Sequence, residues 1–284
     1  MLNKILKTSV LGAVLSIAVA TSASAFEVVA TSTLKGPQGV LINNIAELGK
    51  KSDFNISAKQ TGGCGESVSY FESATDPVGI IWSNSMYRNS KKKNQNCVID
   101  FAKAKPIAVT YAPYDICVRK GVTLKPGSNL LFGNNKFNPQ ASQIEHINAN
   151  NMNITFKNVT YGGSGPALTG LVNGEVDVAM IATSVASSGI KAGTIDCLYS
   201  TGSTRYGQSP MSDLTGDNPL SEYSLGMMLF VRNMSDKDLA TLEKSLSDLG
   251  LRLEPQNMVN TKVGVDSATL DEYIQGAKIQ LNWK

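Results

Sequence analysis

Residues 154–200 read ITFKNVTYGGSGPALTGLVNGEVDVAMIATSVASSGIKAGTIDCLYS, and the fold is decided in this stretch. Ile154 to Val159 alternates apolar and polar side chains, the period of a half-buried strand. Tyr161-Gly162-Gly163-Ser164-Gly165 is a glycine-rich turn. Pro166 suits the first helical position, where its missing N–H is no loss. A short helix is predicted from Ala167 to Val172, closed by Asn173-Gly174 in a left-handed cap. Val176 to Ala182 is apolar except for Asp177 and reads as a buried strand. Ser184 is placed to cap a second helix that stops at Gly193, and Ile195 to Ser200 is a third strand. Strand-helix-strand-helix-strand in so short a span implies parallel strands in a sheet covered on both faces. Ligands of such sheets lie at the carboxyl ends of the strands, against helix N-termini. The turns 162–165 and Thr183-Ser184 occupy such positions.

Outside this stretch the chain repeats the theme. Phe26 to Ser32 reads as a buried strand, Thr33 to Pro37 as a turn, and Gly39 to Lys51 as a helix with apolar Val40, Leu41, Ile45 and Leu48. Phe54 to Lys59 and Val78 to Trp82 are further strands, the second ending in the polar turn Ser83-Asn84-Ser85. Ile107 to Tyr111 and Asp115 to Arg119 follow, and Leu130 to Gly133 opens a second unit. Asn138 reads as a helix cap before Pro139. Leu225 to Val231 is a strong late strand, and Ser235 and Ser267 are placed to cap helices 236–246 and 268–281. No repeat or low-complexity tether separates the units.

The 284 residues begin with Lys4, Lys7, an apolar core from Val10 to Ala20, and Ala23-Ser24-Ala25. That is the pattern of a cleavable secretory signal over residues 1–25, with cut before Phe26. Its apolar core is too short to span a bilayer. Without Lys4 and Lys7, 24 of the 26 basic residues face 23 acidic ones, a near-neutral balance. Nucleic acid and anionic membrane surfaces are therefore poor partners. Lys91-Lys92-Lys93 reads as a solvated loop. Cys64, Cys97, Cys117 and Cys197 are an even set in an exported chain, which points to disulfides and leaves three pairings open. The pairs Cys64–Cys97 and Cys117–Cys197 are favoured. With one histidine, His146, and no Cys-x-x-Cys, neither a metal nor a redox centre is expected.

Enzyme motifs fail one by one. The Gly62–Gly65 loop lacks the Gly-Lys-Ser/Thr ending of a P-loop. A Cys64 nucleophile would need a base, and only His146 is available. Gly163-Ser164-Gly165 is followed by Pro166 where a nucleophile elbow needs glycine. No catalytic residue and no cofactor are expected.

Tyr161-x-Gly163-Ser164-x-Pro166-Ala167-Leu168-Thr169, then Gly174-x-Val176-Asp177 and Ile190-Lys191-Ala192-Gly193, resembles the Bug/TctC family of periplasmic solute-binding proteins. Val28 to Leu41 resembles the same family's first strand and turn, with Gly36 and Pro37 matching. Lys35, Gln38 and Gly39 stand where the family has Gly, Thr and Asp, and Ile181-Ala182 stands where it often has another Asp. The resemblance implies an α/β, type II, two-lobe binding fold, each lobe a mostly parallel sheet flanked by helices, with two crossover strands as hinge near Cys117 and Met227. Lobe 1 would be 26–115, lobe 2 116–225, and 226–284 would return to complete lobe 1. It implies a monomer in the periplasm that binds a small organic anion and hands it to a membrane permease of the tripartite tricarboxylate type. The ligand contacts it implies are Leu34, Lys35, Gly36, Gln38, Ser83 and Asn84 from one lobe, and Asn138, Tyr161, Gly163, Ser164, Thr183 and Ser184 from the other. Alternative cargoes are an amino acid, a phosphonate or an aromatic acid. Alternatives of other classes are a secreted hydrolase using Ser164 or Cys64 and a surface protein that transports nothing.

Overall fold

The computed structural model describes residues 26–279 apart from 32–33, 53–54, 136–139, 150–152, 203–205 and 219. The expected signal segment and Asn138 lie outside the described residues. In chain order the elements are β1 (Phe26–Ala30), α1 (Pro37–Gly49), β2 (Ile56–Gln60), α2 (Cys64–Ser73), β3 (Val78–Ser83), α3 (Met86–Lys93), β4 (Lys105–Ala112) and β5 (Tyr114–Arg119). Next come β6 (Asn129–Asn135), α4 (Gln140–Ala149), β7 (Thr155–Tyr161), α5 (Ser164–Asn173), β8 (Val178–Ala182), α6 (Thr183–Lys191), β9 (Ile195–Ser200) and β10 (Ser209–Pro210). The last are α7 (Ser212–Thr215), β11 (Leu225–Arg232), α8 (Asp236–Ser245), α9 (Leu249–Leu253), β12 (Val259–Val263) and α10 (Ser267–Ile279).

Local chemistry accounts for the elements. Pro37 opens α1, and Leu41, Ile42, Ile45 and Leu48 form its buried stripe. All five residues of β8 are buried, as both-face coverage demands. Gly174 takes the left-handed cap of α5 at φ 79°, where a side chain would be strained. Helix α5 begins three residues earlier than expected, at Ser164, so that Pro166 sits within its first turn. Helix α6 begins at Thr183, and Ser184 lies inside it and is not its cap.

Two six-stranded mixed sheets result, in the orders β12-β4-β11-β3-β1-β2 and β10-β9-β5-β8-β6-β7. The parallel expectation needs one correction. β7, β8 and β9 run in one direction, but none of them pairs with another. β6 lies between β7 and β8, and β5 lies antiparallel between β8 and β9. Sequence neighbours are separated because strands from before the stretch insert between them. In the first sheet β11 is likewise antiparallel to both β3 and β4.

The chain changes sheet at Pro113. β4 ends at Ala112 in the first sheet and β5 starts at Tyr114 in the second. Proline has no N–H to give to either ladder, so it fits the break. Cys117 and Met227 are therefore not at the crossings but inside β5 and β11, opposite Ala179 and Ser83. The return enters β11 at Leu225, opposite Ala112. An apolar core containing Leu41 of α1 and Ile81 and Met227 of the first sheet continues into Ile116, Phe132 and Met180 of the second. The outer face of the first sheet buries Trp82, Met228 and Phe230, and α5 and α6 cover Ala179 and Ile181 of the second.

Both favoured disulfides form. Cys64 joins Cys97 within the first lobe, and Cys117 joins Cys197 between adjacent strands β5 and β9. The Cys64–Cys97 bridge closes a sequence separation of 33. Replacing both cysteines by Ser is expected to cost roughly 2–4 kcal/mol, read from the urea midpoint; an unchanged midpoint contradicts a structural role for the bridge.

Candidate binding gap between the lobes

The register fixes where the strand ends point. Tyr114 lies opposite Ala182 and Asp115 opposite Ser200, so β8 and β9 end beside the Pro113 joint. Ser83 lies opposite Met227, two residues into β11, so β3 ends there too. The carboxyl ends of the two sheets thus face each other across the joint, with the turns that follow them.

The helices that start in those turns share a property. α1 (N-cap Gly36), α3 (Ser85), α5 (Gly163) and α6 (Ala182) have no side-chain cap and no acidic residue in the first turn. Elsewhere α9 also starts without a side-chain cap or an acidic residue in its first turn, whereas the starts of α2, α8 and α10 have acidic or hydroxyl partners. The Gly62 N–H just before α2 donates to its own Glu66 Oε2 at 2.6 Å. Ser235 Oγ accepts from Asp238 N at 3.2 Å in α8, and Asp266 Oδ1 accepts from Thr269 N at 2.8 Å in α10. An open helix start carries unpaired N–H groups and partial positive charge, a seat for an anion.

Among the expected contacts of the first lobe, Leu34, Lys35 and Gly36 form the turn that enters α1. The Lys35 backbone reaches the second lobe: a Cβ on Gly165 would stand 2.6 Å from the Lys35 carbonyl oxygen. Gly39, where the resembled family has Asp, admits no side chain because its Cβ would run into the Leu34 carbonyl. Gln38 is buried and braces the turn, donating from Nε2 to Thr31 Oγ1 at 2.8 Å, which donates to Ile81 O at 3.0 Å. Ser83 and Ser85 hydroxyls lie 3.0 Å apart. Asn84 spends Nδ2 on Ser224 O at 3.2 Å, while its buried Oδ1 has no partner.

From the second lobe, Gly163 and Ser164 start α5. Ser164 Oγ accepts from Ala182 N at 3.1 Å, which leaves its proton to donate. Thr183 has both donors committed, N–H to Pro113 O at 2.9 Å and hydroxyl to Asp115 Oδ1 at 2.8 Å, and offers only lone pairs. Ser184 Oγ is buried without a partner. The Tyr161 hydroxyl is turned along α5 and donates to Glu175 at 3.1 Å, with its ring over Gly170.

Sequence reasoning missed Asp115, Gln208 and Asn134. Asp115 is fully buried at the start of β5. Burial pushes its carboxyl up to about 6, against hydrogen bonds from Ser200, Thr183 and Gln208 that hold it down. A lone carboxylate inside the apolar run Tyr114 to Val118 was the available signal. Asn134, at the end of β6, is fully buried with both amide atoms unpartnered. Arg88 of α3 is also buried, which lowers its pKa, and it feels the Tyr223 phenol, whose ring stacks on Tyr114 at 5.8 Å. Asp115 lies within reach of Cys117 and Cys197, but both sulfurs are tied in a disulfide and supply no thiolate to a metal.

A pH prediction follows from Asp115. Its folded-state pKa is raised, so the folded form prefers the neutral acid. This contribution is complete below the unfolded value near 3.8 and is lost as pH rises through about 6. Between pH 4 and 7 the stability of Asp115→Asn relative to the parent is expected to improve by up to about 3 kcal/mol. Melting temperatures of both proteins across that range check it; parallel curves contradict it.

No family model and no curated protein matches this chain in sequence. Solved structures do match in shape. A Rhodopseudomonas palustris protein solved with adipate superposes with TM-score 0.71 at 15% identity, over 90% of this chain and 94% of that one. MatC of Rhodopseudomonas palustris, solved with bound malate, gives 0.68 at 18% identity, over 91% and 98%. The periplasmic binding protein BugD gives 0.67 at 14%, over 91% and 94%. The chain therefore has the two-lobed fold of the periplasmic binding proteins, with its strand ends turned to the gap between the lobes.

Proposed function

We propose that this protein is a periplasmic solute receptor of the Bug/TctC kind that captures a small organic anion, a carboxylate, between its lobes and delivers it to a membrane permease of the tripartite tricarboxylate type. It carries out no chemical step. The observation that carries this reading is that the helix starts facing the gap, α1, α3, α5 and α6, are uncapped and free of acidic residues, while α8 and α10 are capped and α2 has Glu66 in its first turn. A dicarboxylate would place one end on α1 and the other on α5 and α6, taking N–H groups and the Ser164 and Ser184 hydroxyls. The ligands named for two proteins of like fold, malate and adipate, have this chemistry. Export to the periplasm rests on the leader-like residues 1–25.

A hydrolase has little to work with. Cys64 is in a disulfide, and His146 is exposed on α4. Ser164 instead receives an N–H from the backbone.

A thermal-shift panel of C3 to C8 mono-, di- and hydroxy-carboxylic acids tests the reading. At a hundred times its dissociation constant, a true ligand is expected to add about 2.7 kcal/mol to stability. A panel with no shift at any acid, alongside a shift with amino acids or phosphonates, would replace the cargo. Gly165→Ala places a methyl group against the Lys35 carbonyl. It is expected to weaken binding of the best acid about tenfold or more, which is about 1.4 kcal/mol. Equal affinity in parent and variant would mean that the lobes do not meet there when ligand is bound.

A further inference from the structure

Away from Pro113 the lobes also touch through side chains. Asn257 lies in the left-handed turn before β12, at φ 56°. From there its Nδ2 crosses to the second lobe and donates to the Tyr206 hydroxyl at 3.0 Å. The contact continues inward. The Tyr206 N–H donates to Gln208 Oε1 at 2.9 Å, which fixes the amide and turns its Nε2 towards Asp115 Oδ2 at 3.4 Å. The other oxygen of Asp115 accepts from the Thr183 hydroxyl at 2.8 Å. Thr183 is the first residue of α6, and the buried, unpartnered hydroxyl of Ser184 is next to it.

We propose that Asp115 is a positioning residue that ties the contact between the lobes at Asn257 and Tyr206 to the start of α6 in the binding gap. The inference rests on the reading of that gap as the ligand site. One carboxylate accepts from both sides, from the loop that meets the first lobe and from the helix that faces the ligand. Thr183 is held a second time by Pro113 O at 2.9 Å, so the helix start is fixed by the joint and by Asp115 together. With the lobes in contact, Gln208 is aimed at the carboxylate and stabilises its ionised form. Coupling of this kind is reciprocal, so a proton on Asp115 weakens the contact between the lobes. The groups that reach Asp115 from β9, α6 and the 201–211 segment are Ser200, Thr183 and Gln208, and none is charged. The Cys117–Cys197 disulfide beside it does not titrate. The carboxylate therefore reports on its hydrogen-bond donors.

The test follows the Asp115 side-chain carboxyl by carbon-13 NMR from pH 4 to 8 in the ligand-free protein, with Asp115→Asn to assign the signal. Gln208→Leu removes the donor and is expected to raise the midpoint. Tyr206→Phe and Asn257→Ala leave the donor in place and act only through the contact between the lobes. Each is expected to raise the midpoint in the same direction by about 0.3 to 1 pH unit. A midpoint that moves with Gln208→Leu but not with Tyr206→Phe or Asn257→Ala overturns the proposal. Tyr206→Phe keeps the ring and so guards against a variant that fails to fold. No organic acid enters the measurement. A protein that binds none of them and still shows the coupled shifts would sink the receptor reading and leave this tie standing.

Discussion

Everything in this molecule depends on how the two sheets are joined. The link between β4 and β5 is one proline, and on each side of it the ladder begins at once: Leu225 opposite Ala112, Tyr114 opposite Ala182. A longer tether would let the sheets take many relative positions. A one-residue joint at the carboxyl end of one sheet and the start of an antiparallel strand in the next leaves few. It sets the ends of β3, β8 and β9 around a common gap, and the turns at those ends inherit their direction. The apolar core that passes from Met227 to Ile116 and Met180 stiffens the joint further.

The gap is polar by design of its backbone more than of its side chains. Glycine at 36 and 163, and alanine at 182, stand where other helices of this protein have Ser235 or Asp266 as caps. Uncapped starts cost stability, about 1 kcal/mol where alanine stands at the cap and only a few tenths of that unit where glycine does. That they gather on the sides of one gap, where a ligand can satisfy them, gives the cost a purpose. The side chains near them mostly brace the turns: Gln38 holds Thr31, Ser164 holds Ala182, and Asp115 holds Thr183.

Much of this was legible in the sequence because it is local. The boundaries of β9, the cap at Gly174 and the turns at 83–85 and 162–165 are written in adjacent residues, whereas α1 starts at Pro37, two residues before the expected Gly39. Both disulfides were legible too, since four cysteines allow few pairings. What was hidden is non-local. Strands β5 and β6 come from before the 154–200 stretch yet separate β7, β8 and β9, and periodicity carries no information about insertion. The same limit explains the hinge. Cys117 and Met227 sit in apolar runs that read as crossings, and only the register shows that Pro113 is the break. Asp115 was visible as an odd carboxylate in a buried strand, but its partners Gln208 and Thr183 lie far away in sequence. Tyr161 belonged to a recognisable motif, yet its hydroxyl reaches Glu175, a partner that no spacing rule gives.

The most direct test of the central idea is residue-resolved amide NMR during titration with adipate or malate. If the facing helix starts seat the anion, the backbone N–H signals of Gly36, Gly163 to Gly165 and Ser184 move together, in both lobes, with one dissociation constant. Shifts confined to one lobe, or spread over outer surfaces such as α2 and α8 while those amides stay still, would contradict it.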